Sequence, residues 1–247
     1  MSEKYMSLID HLDELRTRII ISGAAILIVT AVAFFFSDPI LKFLLLPSGG
    51  LQLKAFSIMD GFLIKWRIAF YTGIVGAFPV WAYHLYRYVS PGLKDNERRA
   101  IFSPLIAAFI LFLLGAPFGY YLLWSMIRVL IDLFPSEVQF LPAADDYISF
   151  VIFFMLACGI AFQLPTVLVI LVRLRILNST ILRKQRKIAY FILFAFAEII
   201  TPVSDPIVAP LTVMVPLVIL YEISIFAAIR IEAGREKTEI SSTISHP

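Results

Sequence analysis

Four apolar stretches, at 19–36, 68–86, 101–124 and 147–172, are long enough, or nearly so, to cross the hydrocarbon core of a bilayer. A helix rises 1.5 Å per residue, so roughly 20 apolar residues cover a ~30 Å core. Inside that core only helices or closed barrels satisfy their own backbone. A fifth run, 188–200, has thirteen residues between Lys187 and the Thr201-Pro202 break. A sixth, 207–229, contains Pro210 and Pro216. A lone soluble-core helix at the fifth run would contradict its five neighbours. The sequence therefore predicts an all-α polytopic membrane protein of six transmembrane helices. Pro202, Pro206 and Pro210 oppose a helix running through the last turn, so the fifth and sixth helices are expected to be short. Composition agrees: the 247 residues are 60% hydrophobic and 16% charged, with mean hydropathy +0.88. A soluble domain carries about 25% charge. Residues 1–247 read as a single six-helix transmembrane domain without linker, repeat or low-complexity tract.

The basic residues orient the spans. With the amino terminus inside, Lys42, Lys54, Lys65, Arg67 and Arg128 fall outside and the other sixteen of the 21 Lys and Arg fall inside. That bias obeys the positive-inside rule and places both termini on the cytoplasmic side. It also explains the net charge of +3 and pI near 9.0 without nucleic acid as a partner. The first eighteen residues hold seven charges of mixed sign and do not read as a signal peptide. Cys158, the single cysteine, reads as a small buried hydrophobe. The polar tail after Arg230 reads as frayed.

Two charged segments on the inner side are candidates for binding. In 7–18, Leu8, Leu12, Leu15 and Ile19 make an apolar stripe opposite Asp13, Glu14, Arg16 and Arg18. An interfacial helix with a Glu14–Arg18 pair worth ~0.3 kcal/mol explains this pattern. So does a receptor, because a carboxylate in a partly apolar site pairs bidentately with guanidinium and not with ammonium. The loop 89–99 offers the same choice between a charged turn and a binding site at Glu97. Ser57-Ile58-Met59-Asp60 reads as a capping box that starts the second helix outside the membrane. Within the spans, Glu198, Glu222 and Gln163 are costly enough to be functional or to bond between helices. His11 and His84 read as interfacial. No metal-ligand spacing, nucleophile–base arrangement or nucleotide loop is present, which argues against an enzyme, a cofactor or a metal. A small-solute transporter would show matched halves, and none are found.

These residues resemble a known family. His11-Leu12-Asp13-Glu14-Leu15-Arg16-Thr17-Arg18 resembles the "HL-x-ELR-x-R" signature of TatC, the multispanning subunit of the twin-arginine protein translocase. Pro91-Gly92-Leu93 with Glu97-Arg98-Arg99 is similar to its first cytoplasmic loop. Tyr147-Ile148-Ser149-Phe150-Val151, the stretch from Gly159 to Pro165, and Leu220-Tyr221-Glu222-Ile223-Ser224-Ile225-Phe226 continue the likeness to about residue 230.

The resemblance implies a receptor that recognises paired arginines in signal peptides of folded precursors, and a translocase driven by the protonmotive force. It implies signal-peptide binding by Glu14 and Glu97, with Arg16, Arg18, Arg98 and Arg99 around them. It marks Pro47, Tyr147 and Asp205 as functionally sensitive, and Gln163 and Glu222 as intramembrane polar positions. Implied partners are TatA-type and TatB-type single-span proteins, membrane lipid and further copies of the chain. The implied location is a prokaryotic cytoplasmic (inner) membrane in preference to a thylakoid. Three positions depart from the family pattern. Gln163 stands where Glu is frequent, 57–60 lacks the proline and glutamate of "SP-x-E", and Glu198 belongs to no family motif.

Overall fold

The computed structural model describes residues 8–89, 95–132, 135, 141–201 and 208–244, with side chains for 11–88, 106–129, 131–132, 135, 141–201 and 210–234. Among the described residues, ten α-helices follow in order: α1 Leu8–Phe35, α2 Ser37–Leu45, α3 Asp60–Gly76, α4 Phe78–Val89, α5 Asp95–Asp132, α6 Ala144–Ala161, α7 Leu164–Arg173, α8 Ser179–Lys184, α9 Arg186–Ile200 and α10 Val208–Ile244. A 3-10 turn, Leu46–Ser48, follows α2. Among the described residues, four helical stretches are long and apolar enough to cross a membrane: His11–Phe35, Ile106–Val129, Ala144–Arg173 and Pro210–Gly234. The bent pair α3 and α4 makes a fifth.

Prolines explain where the helices depart from the continuous spans read in the sequence. The second span is bent by 51° between α3 and α4. Pro79 lacks the amide that would bond back to the preceding turn. The Trp81 indole N–H instead donates to the Ile74 carbonyl at 3.0 Å, so the break is capped from the side. The fourth span breaks at Phe162-Gln163, and Pro165 sits in the first turn of α7, where no amide donor is required. The expected capping box forms only in part: α3 starts at Asp60 with Met59 at its N-cap and no side-chain cap bond, although Ser57 and Asp60 do order the turn before it. Asp60 Oδ2 accepts from the Phe56 and Ser57 amides at 2.7 and 2.9 Å, and Ser57 Oγ accepts from the Met59 amide at 3.2 Å.

The expectation of a short sixth helix is corrected. α10 runs 37 residues, with Pro216 inside it. Pro210 lies in the opening turn, where its missing N–H breaks nothing, and a membrane helix tolerates an internal proline. The tail expected to fray continues this helix to Ile244. The fifth helix is short, as expected: α9 has 15 residues and ends where Thr201 turns extended.

The chain divides into two compact units. The first comprises 1–94 and 134–153. Here α1 packs on α3 and α4, and its closest approach is at glycine. A Cβ on Gly73 would lie 2.0 Å from Thr30 Oγ1 and 3.0 Å from the Ile26 carbonyl oxygen. Membrane helices associate through such small residues because lipid supplies no hydrophobic drive between them. The second unit comprises 95–133 and 154–247. α10 packs there against α7, α8 and α9, and α5 against α7. Gly115 and Gly119 of α5 face Phe162 and Cys158, while Gly159 faces the Phe112 ring. Phe112, Phe154, Leu123, Leu217 and Ile200 are among its buried side chains.

Candidate functional site

In the first unit, one face of α1 and the last turns of α4 form an open cavity of about 460 Å³. Asp13, Glu14, Thr17, Arg18 and Ile21 line it from α1, and His84 and Arg87 from α4. The α1 positions recur at three- and four-residue steps, which on a helix is one face. Arg18 bonds Glu14 Oε1 through Nε at 3.0 Å, and its Nη2 reaches the same oxygen. Both side chains are mostly buried, 14% exposed for Arg18 and 19% for Glu14. The other carboxylate oxygen, Glu14 Oε2, is buried without a hydrogen-bond partner, and so is His84 Nδ1. Leaving such an atom unmet costs ~1–3 kcal/mol. Two buried polar atoms at the cavity are thus left without a partner.

Neighbouring contacts hold this arrangement. Arg87 Nη1 donates to Tyr83 Oη at 3.2 Å, one turn back along α4. The His11 and Tyr88 rings stack between α1 and α4. Arg16 is exposed on α1 and does not line the cavity. Glu97, Arg98 and Arg99 lie in the first turns of α5, but their side chains fall outside the described residues. Asp205 falls outside them entirely.

A second cluster in the first unit joins the loop after α1 to the start of α6. Tyr147 is buried and its hydroxyl donates to the Leu44 carbonyl at 3.2 Å. Pro47 is buried three residues on, in the 3-10 turn. The Lys54 backbone pairs with Pro142 and Ala144 at 3.1 and 2.8 Å. Arg67 forms an ion pair with Asp145 at 2.8 Å and also donates to Ser149 Oγ. Two residues marked by the family resemblance, Pro47 and Tyr147, thus belong to one clasp. Sequence reading missed the pairing of Arg67 with Asp145 because the two lie 78 residues apart and no local pattern links them.

In the second unit, Gln163 precedes α7 at the break and donates from Nε2 to the Ala108 carbonyl at 3.0 Å. Glu222 on α10 accepts from Arg186 Nη2 at 2.5 Å and from Tyr190 Oη at 2.6 Å, both on α9. Nearby, Tyr221 Oη donates to the Leu182 carbonyl at 2.9 Å, and Glu232 accepts from the Ser179 amide at 2.8 Å. Glu222 is thus a bond between helices. The sequence reading passed over Arg186 and Tyr190 as its partners because they lie 36 and 32 residues upstream.

Among the described residues, no cluster of His, Cys, Asp or Glu could hold a metal ion. A family model described as "Sec-independent protein translocase protein (TatC)" matches residues 10–216. A TatC protein of Halalkalibacterium halodurans is 36% identical over 232 residues, covering 92% of this chain and 91% of its own. TatCy of Bacillus subtilis is 35% identical over 249 residues, covering 98% and 95%. A crystal structure of the twin-arginine translocase receptor TatC superposes with TM-score 0.74 at 34% identity, over 88% of this chain and 97% of the other. The same receptor crystallised in DDM gives TM-score 0.77 at the same identity.

Proposed function

Because the chain belongs to the TatC family of Sec-independent protein translocase proteins, we propose that it is the receptor and core subunit of a twin-arginine translocation system. It binds the paired arginines of a signal peptide at its cytoplasmic face and assembles with TatA-type and TatB-type single-span partners. In this reading it is one six-span domain of a prokaryotic inner membrane, with both termini inside. α9 is the fifth span and α10 the sixth. The protonmotive force drives transport, and the protein itself catalyses no covalent chemistry.

The observation that carries this reading is the buried, unpartnered Glu14 Oε2 in the cavity between α1 and α4. Arg18 already holds one oxygen of the carboxylate, which leaves the second facing an entering cation. Guanidinium suits it because it donates in a plane and offers several N–H groups to one acceptor set. Glu97 supplies the second carboxylate for the neighbouring arginine. The clasp at Tyr147 and Pro47 maintains the outer loop, and Asp205 acts at the other outer turn.

Photocrosslinking to a precursor with two arginines, with a two-lysine control, tests this reading. Glu97→Ala is expected to weaken binding by ~1.5–3 kcal/mol, as for a charge-assisted hydrogen bond, with membrane insertion intact. Unaltered binding in the Glu14→Ala, Glu97→Ala double variant would refute the assignment.

A further inference from the structure

We propose that His84 is a second recognition residue in the α1–α4 cavity, accepting a hydrogen bond through Nδ1 from the same guanidinium that binds Glu14 Oε2. The inference rests on the receptor reading and adds a contact that reading does not contain. Its basis is a pair of buried atoms without partners. Glu14 Oε2 and His84 Nδ1 are both closed off from solvent, both lack a hydrogen bond, and their residues line one cavity from opposite helices.

The surrounding charges indicate the role of the imidazole. Arg18 and Arg87 line the same cavity as Asp13 and Glu14, so its four fixed charges cancel. A neutral ring with its proton on Nε2 adds an acceptor at Nδ1 without adding charge. Guanidinium has donors and no acceptor, in a rigid planar fork. One edge of that fork can meet the carboxylate oxygen while another N–H meets the imidazole nitrogen. A lysine ammonium is a compact, strongly hydrated point charge on a flexible stem, and it has no planar edge to bridge the two acceptors. His84 therefore contributes to the preference for arginine over lysine, because Glu14, with Oε1 already held by Arg18, offers one free oxygen and cannot pair bidentately by itself.

The test uses the full chain in lipid nanodiscs and a fluorescent signal peptide carrying Arg-Arg, with a Lys-Lys twin. His84→Phe keeps the ring and removes the acceptor. It is expected to lose about tenfold in affinity for the Arg-Arg peptide and little for the Lys-Lys peptide. His84→Asn places an amide oxygen near the Nδ1 position and is expected to recover most of the loss. In the unaltered protein, the ¹⁵N resonance of His84 Nδ1 is expected to move on adding the Arg-Arg peptide and to stay with the Lys-Lys peptide. This last measurement does not depend on any variant folding. Wild-type affinity in His84→Phe, or a stationary resonance while Glu14→Gln abolishes binding, overturns the role of His84 and leaves the receptor reading intact. Unaltered binding in Glu14→Gln overturns both.

Discussion

The imidazole of His11 lies on the phenol ring of Tyr88, with centroids 4.4 Å apart and planes 14° from parallel. This contact ties the start of α1 to the end of α4 beside the cavity that holds Glu14. Stacked aromatic pairs contribute ~0.5–1.5 kcal/mol beyond their buried area. His11→Ala and Tyr88→Ala are each expected to weaken signal-peptide binding by roughly two- to tenfold. The double variant should be no worse than either single one. Additive losses would show that the two rings act separately.

Gly73 marks the tightest approach between α1 and α3. Gly73→Ala places a methyl group 2.0 Å from Thr30 Oγ1, and overpacking of this kind costs ~1–3 kcal/mol. The expected outcome is a lower melting temperature in detergent. Adding Thr30→Ala removes the nearest clashing atom and also an unpartnered buried hydroxyl. The pair should recover part of the loss, and a double variant worse than Gly73→Ala would contradict this geometry.

Much of the fold was legible because apolar run length is a direct physical constraint: a chain with runs at 19–36, 101–124 and 147–172 has few soluble alternatives. The Glu14–Arg18 pair was legible from its four-residue spacing. That His84 lines the same cavity was not, because this depends on which face of α4 turns toward α1 across the bend at Pro79. The length of α10 was misread because Pro210 was weighed as a breaker, although in an opening turn its missing amide costs nothing. Glu222 stood out as a charge in a span, but no local pattern revealed that Arg186 and Tyr190 answer it.

Those three residues give a third prediction. Glu222→Gln keeps an acceptor for Arg186 and Tyr190, whereas Glu222→Leu removes both bonds. Glu222→Leu is expected to lower stability by ~1–3 kcal/mol, as for partners left unmet, and Glu222→Gln by less. Thermal unfolding in nanodiscs distinguishes them. Equal losses would mean that the negative charge itself is needed and not the bond between α9 and α10.

α9 gives a fourth. Its 15 residues cover about 22 Å against a ~30 Å hydrocarbon core, and Phe191, Ile192 and Ile199 on it are exposed. Local bilayer thinning is the expected adjustment. Thermal stability should fall as the acyl chains of the surrounding lipid are lengthened. A flat profile would mean that other helices or partners shield α9 from lipid.

The elbow at Ala77 behaves as a joint in a mechanical linkage. Trp81 on one arm is pinned to the Ile74 carbonyl on the other, so α3 and α4 form a bent strut. The α4 arm carries His84 and Arg87 toward its end, and the α3 arm carries Arg67 near its middle, where it pairs with Asp145. The path between Arg67 and His84 is seventeen residues, about 26 Å of helix. Because Trp81 braces the bend, one bent helix pair carries both the residues that line the cavity and the arginine that pairs with the start of α6.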